Sequence, residues 1–212
     1  MALPDFLTLA QQCAPQVAPA TLAAIVRVES EFNPYAIGVV HGRLMRQPAN
    51  EAEAIATART LEASGRNYSV GLAQVNHANW TRYGLTPQNA FDPCRNLAVG
   101  ASILQRCFAQ AHAAQPDVQQ ALRAGLSCYA SGNFATGYRT GYVQRVVAGV
   151  TARATPSVAA IEPAVTAIPV APLSRAAAAR ELQERVTMPD DGAPDPKQDR
   201  KRDPPAGSAV VF

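Results

Sequence analysis

A glutamate lies on the apolar face of a helix that is predicted near the start of the chain. In Ala20–Asn33 (ATLAAIVRVESEFN), helical spacing brings Glu29 to the same side as Leu22, Ile25 and Val26. Burial disfavours the charged form of a carboxyl group, so the pKa of such a glutamate rises and it keeps its proton near neutral pH. The position predicts a general acid, although a glutamate that reaches solvent at the helix end fits the same pattern.

A second stretch, Tyr68–Asn79 (YSVGLAQVNHAN), is rich in amide side chains. It is too polar for a core strand, and we interpret it as a turn that lines a site. Gly71 would let the backbone come close to a ligand, while Gln74 and Asn76 offer the donors and acceptors that bind sugar hydroxyls and acetamides. The alternative is a capped helix start with surface amides.

The other apolar patterns predict a mainly helical domain with one small hairpin that would position these side chains. Asn50 and Asn96 are predicted N-caps, and Gly100 in mid-helix indicates close packing. We expect helices over Pro4–Cys13, Ala20–Asn33, Glu51–Ser64, Leu97–Phe108, Gln119–Ala130 and Tyr142–Val150, and the β-hairpin over Ile37–Arg46.

The composition changes near residue 150. Every aromatic residue except Phe212 lies at or before Tyr142, and the chain has nine prolines from Thr151 onward. A packed core needs large side chains, so we predict a folded domain over 1–150 and a disordered Pro/Ala-rich tail over 151–212. Within that tail, Leu173–Met188 has strong helix formers and predicts a partner-binding helix or an isolated, partly formed one.

Charge and cysteine spacing exclude several classes of function. The net charge of +3 is too small and too spread out to indicate nucleic acid, and no stretch approaches 18 apolar residues, so no transmembrane segment is expected. The cysteines lack paired CxxC spacing and the chain has only three histidines. We therefore expect neither a metal site nor a cofactor.

Four cysteines in an Arg-rich, Lys-free domain predict two disulfides in an oxidising compartment, with buried free thiols as the alternative. Cys94 and Cys107 would stand roughly 18–20 Å apart along one predicted helix, too far to pair. Two pairings remain open: Cys13–Cys94 with Cys107–Cys128, or Cys13–Cys107 with Cys94–Cys128. The first ten residues, which contain Asp5 and no positive side chain, are not a standard signal peptide.

Several short segments together resemble the soluble lytic transglycosylase family over about 20–150. They are VESEFNPYA at 28–36, GLAQVN at 71–76, CRNLAVGASIL at 94–104, and CYASGNF at 128–134 with YVQRV at 142–146. The NPYAIGVV segment, the FDPC turn and the proline-rich tail are most similar to the branch of this family that accompanies type IV secretion systems.

This resemblance implies a lysozyme-like helical fold that cleaves peptidoglycan between N-acetylmuramic acid and N-acetylglucosamine in the periplasm. Glu29 matches the catalytic acid of the family, and Tyr129 matches a tyrosine that is held close to that acid. The glycan-lining motif of the family corresponds to Gly71, Gln74 and Asn76, and its helix-packing motif to Asn96 and Gly100. The tail would contact other components of the secretion system.

The chain offers no good second carboxylate, whereas ordinary glycosidases use two. The family implies that the N-acetyl group of the substrate assists instead, so that the product ends in an anhydro sugar. Ser, Met and Asn are frequent in the family where this chain has Gly38, Ala73 and Ala130. Two alternatives stay open: a hydrolytic muramidase of the same fold, and a catalytically weak glycan-binding subunit.

Overall fold

Helices surround a small antiparallel sheet, as the sequence predicts. The computed structural model describes residues 6–151 and 170–172. The helices in these ranges are α1 (Phe6–Cys13), α2 (Pro19–Ser30), α3 (Glu51–Ala63), α4 (Trp80–Tyr83), α5 (Pro93–Ala114), α6 (Val118–Ser131), α7 (Thr136–Arg139) and α8 (Tyr142–Thr151). The strands are β1 (Ile37–Val39), β2 (Gly42–Leu44), β3 (Tyr68–Val70), β4 (Val75–Asn76) and β5 (Val170–Pro172). None of these helices is long and apolar enough to cross a membrane.

Helix α5 begins earlier than predicted. Its N-cap is Asp92, whose Oδ1 accepts a hydrogen bond from the Arg95 N–H at 2.7 Å, and Pro93 occupies the first helical position. Proline suits that position because its missing N–H would have no helical partner there. Asn96 is therefore not a cap but lies inside the first turn, fully buried. The predicted N-cap at Asn50 is confirmed, since its Oδ1 accepts from the Glu53 N–H at 2.9 Å.

The sheet contains the predicted hairpin, β1 and β2, and extends it on both sides in the order β4-β3-β1-β2-β5. Strand β3 corrects the interpretation of Tyr68–Asn79 as a turn that is too polar for a strand. Tyr68 and Val70 are fully buried, while Ser69 between them points to the opposite face and is half-buried. In a strand with one buried face, only every second residue must be apolar. Two apolar side chains with a polar one between them are therefore enough to form β3.

The edge strand β5 comes from the segment that the sequence predicts to be a disordered tail. Val170–Pro172 pair antiparallel with Gly42–Leu44. Strand pairing uses backbone N–H and C=O groups, so it does not need the large side chains whose absence motivated the prediction. The rest of the predicted tail, including the helix at 173–188, lies outside the described residues.

A small hydrophobic cluster lies around Ala111, Ala121 and Ala124, and two larger clusters form the rest of the interior in the described ranges. One joins α1, α2, α5, α6 and α8, and the other packs the sheet and α3 against Trp80, Phe91 and α5. Tyr129 packs against both clusters. The disulfides Cys13–Cys94 and Cys107–Cys128 tie α1 and α6 to α5, which is one of the two pairings that the sequence left open.

A tight loop, Gly71–Gln74, connects β3 to β4 and is held by Asn96. The Asn96 Oδ1 accepts from the Ala73 N–H at 2.7 Å, and its Nδ2 donates to the carbonyls of Val70 and Ala90, each at 2.9 Å. Gly71 has φ +78°, and a Cβ there would lie 2.3 Å from the Asn96 Nδ2. The loop therefore requires glycine at 71 both for its backbone conformation and for space.

The close packing predicted at Gly100 is confirmed on the other side of the same loop. A Cβ at Gly100 would lie 2.5 Å from the Ala73 Cβ and 3.2 Å from the Tyr129 hydroxyl oxygen. Helix α5 thus approaches the Gly71–Gln74 loop through Asn96 and, one turn later, through Gly100.

Replacing Asn96 should destabilise the fold strongly. Asn96→Ala leaves three buried backbone groups without their partner, and each such group costs about 1–3 kcal/mol. We expect urea unfolding to show a loss of about 3 kcal/mol or more. Gln110→Ala, which removes an exposed amide of the same helix, should change stability by less than about 0.5 kcal/mol. A loss below about 1 kcal/mol for Asn96→Ala would contradict this account of the loop.

Candidate active site

A cleft of about 830 Å³ lies between the sheet and the helices α2, α5 and α6. The sheet side contributes Gly38, Val39, Val40, Asn67, Ser69, Gln74, Val75, Asn76 and Asn79. The helical side contributes Glu29 from α2, then Ile103, Arg106, Cys107 and Gln110 from α5, and finally Cys128, Tyr129, Ala130, Ser131 and Gly132 around the end of α6.

Glu29 enters the cleft from the last turn of α2. The apolar face predicted for this helix is confirmed, because Leu22, Ile25 and Val26 are buried. The helix ends where Glu31 adopts φ +52°, and the buried Ser30 hydroxyl donates to the Leu72 carbonyl at 2.8 Å. The end of α2 is therefore fixed against the Gly71–Gln74 loop.

Burial raises the pKa of Glu29 to about 7, well above its usual 4.5. Two features oppose this rise, because they favour the ionised carboxylate. The Tyr142 O–H donates to the Glu29 Oε1 at 2.6 Å, and the charge of Arg145 acts in the same direction. Near neutral pH, this carboxyl group exists in both its protonated and its ionised form, so it can donate a proton and take one back.

Among the described residues that line the cleft, Glu29 is the one carboxylate. Glu31, two residues later, is exposed on the other side of the helix end, as the helical pattern predicts. An acid–base pair of two carboxylates is therefore not assembled from the described cleft residues.

The tyrosine that donates a hydrogen bond to the acid is Tyr142, whereas the hydroxyl of Tyr129, the tyrosine expected close to the acid, donates elsewhere. The Tyr129 hydroxyl donates to the Ala73 carbonyl at 2.5 Å, so its one proton is used by the Gly71–Gln74 loop. Tyr129 still lines the cleft together with Glu29. Burial and, less strongly, the negative charge of Glu29 raise the pKa of Tyr129. Tyr129 therefore fixes the loop and forms part of the wall.

Sequence reasoning missed Tyr142 as a site residue, although it noted the YVQRV segment. Tyr142 shares the buried face of α8 with Val143 and Val146, and its hydroxyl reaches a residue 113 positions earlier. A tyrosine at the start of an apolar helix face was the available signal. Burial and the negative charge of Glu29 raise the pKa of Tyr142, so it remains a proton donor in the hydrogen bond.

The predicted amide residues divide between the wall of the cleft and its support. Gln74 and Asn76 line the cleft, whereas Gly71 lies behind it against Asn96. Gly71 therefore shapes the loop and is not itself among the described residues that line the cleft.

Internal hydrogen bonds fix both amides in place. The Gln74 Nε2 donates to the carbonyls of Ala36 and Gly71, each at 3.0 Å. The Asn76 Nδ2 donates to the Asn67 Oδ1 at 2.8 Å, while its Oδ1 accepts from the Ala78 N–H at 3.0 Å. Gln74 and Asn76, which we call the amide wall, are therefore preorganised, and little side-chain freedom is lost when a ligand binds.

The sequence analysis did not single out the α5 side of the cleft. Ile103, Arg106, Cys107 and Gln110 line it, and their spacing of i, i+3, i+4 and i+7 places them on one helical face. The helical spacing of these four residues can be seen in the sequence. The sequence does not show that the polar ones, Arg106 and Gln110, face a cleft. The completed site is a polar groove with one carboxyl group of raised pKa, suited to acid–base chemistry on a polyhydroxylated chain.

Comparison with known proteins agrees with this geometry. The model of the family described as "Transglycosylase SLT domain" matches residues 6–145. The "Type IV secretion system protein virB1" of Brucella abortus biovar 1 is 52% identical over 184 residues, which cover 84% of this chain and 76% of the relative. The "Protein virB1" of Agrobacterium fabrum is 39% identical over 145 residues, covering 67% of this chain and 58% of the relative. No solved structure matches the chain.

Proposed function

The chain belongs to the transglycosylase SLT family, as a peptidoglycan lytic transglycosylase of type IV secretion, and we propose that it cleaves the bond between N-acetylmuramic acid and N-acetylglucosamine to leave 1,6-anhydro ends. The observation that supports this proposal most is the single cleft carboxyl group with a pKa of about 7. One carboxyl group must then serve both proton transfers.

In the first step, protonated Glu29 gives its proton to the glycosidic oxygen as the bond from that oxygen to C1 of the muramic sugar breaks. The N-acetyl oxygen of the same sugar forms a bond to C1 and takes up the developing positive charge. The N-acetyl oxygen thus takes the role of the nucleophile, which is the second carboxylate in an ordinary retaining glycosidase. The leaving sugar departs with a new hydroxyl group.

In the second step, ionised Glu29 removes the proton of the C6 hydroxyl of the muramic sugar. The C6 oxygen attacks C1 and the bond from the N-acetyl oxygen to C1 breaks, which forms the anhydro ring and regenerates protonated Glu29. The hydrogen bond from Tyr142 favours the ionised form that this step needs. No water molecule enters the product.

The amide wall would hold the glycan during both steps. Gln74 and Asn76 line the cleft opposite the helical side that carries Tyr129. Their amide N–H groups are used internally, and their amide oxygens can accept hydrogen bonds from sugar hydroxyls and acetamide N–H groups. We assign substrate binding to these three residues. Gly71 contributes indirectly, by allowing the Gly71–Gln74 loop to close on Asn96.

The similarity to virB1 proteins supports a role in opening the cell wall for a type IV secretion system. Peptidoglycan lies outside the cytoplasm, so this role implies a periplasmic location. Disulfides form and persist in that compartment, and the four cysteines here are paired.

Removing the acid should abolish glycan cleavage. Purified full chain incubated with sacculi should release muropeptides with anhydro ends, which mass spectrometry detects as lighter by one water molecule than hydrolysis products. Glu29→Gln should lower this release by at least about 100-fold, since general acid catalysis contributes roughly 10²–10⁴-fold. The first step requires the protonated form, so its rate should fall as the pH rises through about 7.

Glu31→Gln provides the matched control, because this exposed carboxylate lies two residues away and outside the cleft; it should keep release within about twofold. Products with ordinary reducing ends would show a hydrolytic muramidase instead. Release above about one per cent in Glu29→Gln would refute the single-acid mechanism.

The segment after residue 151 should be dispensable for cleavage but needed for association with other secretion components. All the described residues that line the cleft fall between 29 and 132, so chains ending at residue 151 or 175 should release muropeptides at the same molar rate as the full chain. The shorter chain also lacks β5 and should melt at a slightly lower temperature.

Co-purification from cells that produce the secretion apparatus tests the second half of this proposal. The full chain should retain secretion components, and the chain that ends at 175 should lose them. If the truncated chains lose most of their activity on isolated sacculi, residues beyond 151 belong to the catalytic unit and the boundary is wrong.

A further inference from the structure

One cationic side chain, Arg106, lines the cleft, and the proposed reaction does not use it. It lies on the α5 face between Ile103 and Gln110, next to the Cys107–Cys128 disulfide. It lies six positions after Gly100, which packs closely against the Gly71–Gln74 loop and Tyr129. At 1.5 Å per residue, Arg106 stands about 9 Å further along the helix from that contact.

The Arg106 guanidinium has no partner among the residues that the structure describes. Its Nε is fully buried and makes no hydrogen bond. The ion pairs found in the described ranges, Arg46–Glu53 and His77–Glu62, do not involve it. A buried donor without an acceptor is unfavourable, and native proteins rarely keep one without a reason.

Arginine is a cationic side chain. Its planar fork of N–H groups matches a carboxylate better than a sugar hydroxyl, because two parallel hydrogen bonds can form. The exposed amide Gln110 follows one turn later on the same face of α5 and adds a neutral donor. This end of the cleft therefore has the donors for an anion and no acid to neutralise them among its described residues.

Resting on the proposed function, we propose that Arg106 and Gln110 form a subsite for a carboxylate that the glycan chain carries. In peptidoglycan, two sources supply such a group: the lactyl ether of a muramic sugar without its peptide, and the acidic residues of a stem peptide. Chitin-type chains carry neither group. The subsite would favour muramic glycan over chitin-type glycan.

Binding measured by titration calorimetry tests the subsite without depending on turnover. The full chain carries Glu29→Gln in every sample, so that no probe is cleaved. The probes are chitotetraose, a peptide-free tetrasaccharide with free lactyl carboxylates, and the same tetrasaccharide with tetrapeptide stems. The affinity of each probe is measured for the chain with Arg106 intact and for the variants Arg106→Gln and Arg106→Lys. Arg95→Gln is the control, because Arg95 is an exposed arginine of the same helix outside the cleft.

With Arg106 present, we expect carboxylate-bearing probes to bind about tenfold more tightly than chitotetraose, as charge-assisted hydrogen bonds are the stronger kind. Arg106→Gln should remove this preference, Arg106→Lys should keep part of it, and Arg95→Gln should keep all of it. Tighter binding of the peptide-free probe alone identifies the lactyl carboxylate, and tighter binding of the stem-bearing probe alone identifies the peptide. Tighter binding of both shows that the subsite accepts either carboxylate.

Equal affinity for all three probes would overturn the subsite and leave the proposed function intact. The same conclusion follows if Arg106→Gln weakens chitotetraose as much as the other probes, since that would be a general loss of binding. If no probe binds the chain with Arg106 intact, the proposed function fails, and the subsite fails with it.

Discussion

The site depends on keeping one carboxyl group away from water. Burial of Glu29 raises its pKa to about 7, and the hydrogen bond from Tyr142 and, less strongly, the charge of Arg145 limit that rise. Without burial the carboxyl group would be ionised at neutral pH and could not donate a proton. Without the tyrosine the pKa would be higher still, so less of the ionised form would be available to act as a base. The balance between desolvation, which favours the protonated acid, and the hydrogen bond and nearby positive charge, which favour the ionised base, governs both steps of the proposed reaction.

The Gly71–Gln74 loop keeps this balance in place, because three elements attach to it. Ser30 at the end of α2 bonds to Leu72, Asn96 of α5 bonds to the Ala73 N–H, and Tyr129 of α6 bonds to the Ala73 carbonyl. Leu72 belongs to the helical cluster and Ala73 to the sheet cluster. The loop therefore joins the two halves of the core at the point where the acid enters the cleft.

The sequence predicted what local periodicity and capping determine. Glu29 on an apolar helix face, the cap at Asn50 and the hairpin at Ile37–Arg46 each depend on residues a few positions apart. The contact between Tyr142 and Glu29 spans 113 residues, so no local pattern could show it.

Some residues lie where two physical roles compete, and the sequence alone could not choose between them. Asn96 has the side chain of an N-cap, yet Asp92 takes that role and Asn96 is buried to hold a loop. The space left by the missing side chain of Gly71 could be occupied by a ligand or by a neighbouring side chain, and in the structure it is occupied by Asn96. The edge strand at Val170–Pro172 pairs through its backbone groups. Every residue carries these groups except for the N–H that proline lacks, so amino-acid composition could not predict this pairing.

The titration of the Glu29 carboxyl group tests the central claim most directly. Carbon-13 NMR of the full chain with labelled glutamate, assigned through Glu29→Gln, gives the midpoint of this group alone. We predict a midpoint near pH 7, and a higher one in Tyr142→Phe, because that change removes a hydrogen bond that favours the ionised form. A midpoint near 4.5, the ordinary value for glutamate, would show that Glu29 is not held away from water and would contradict the account.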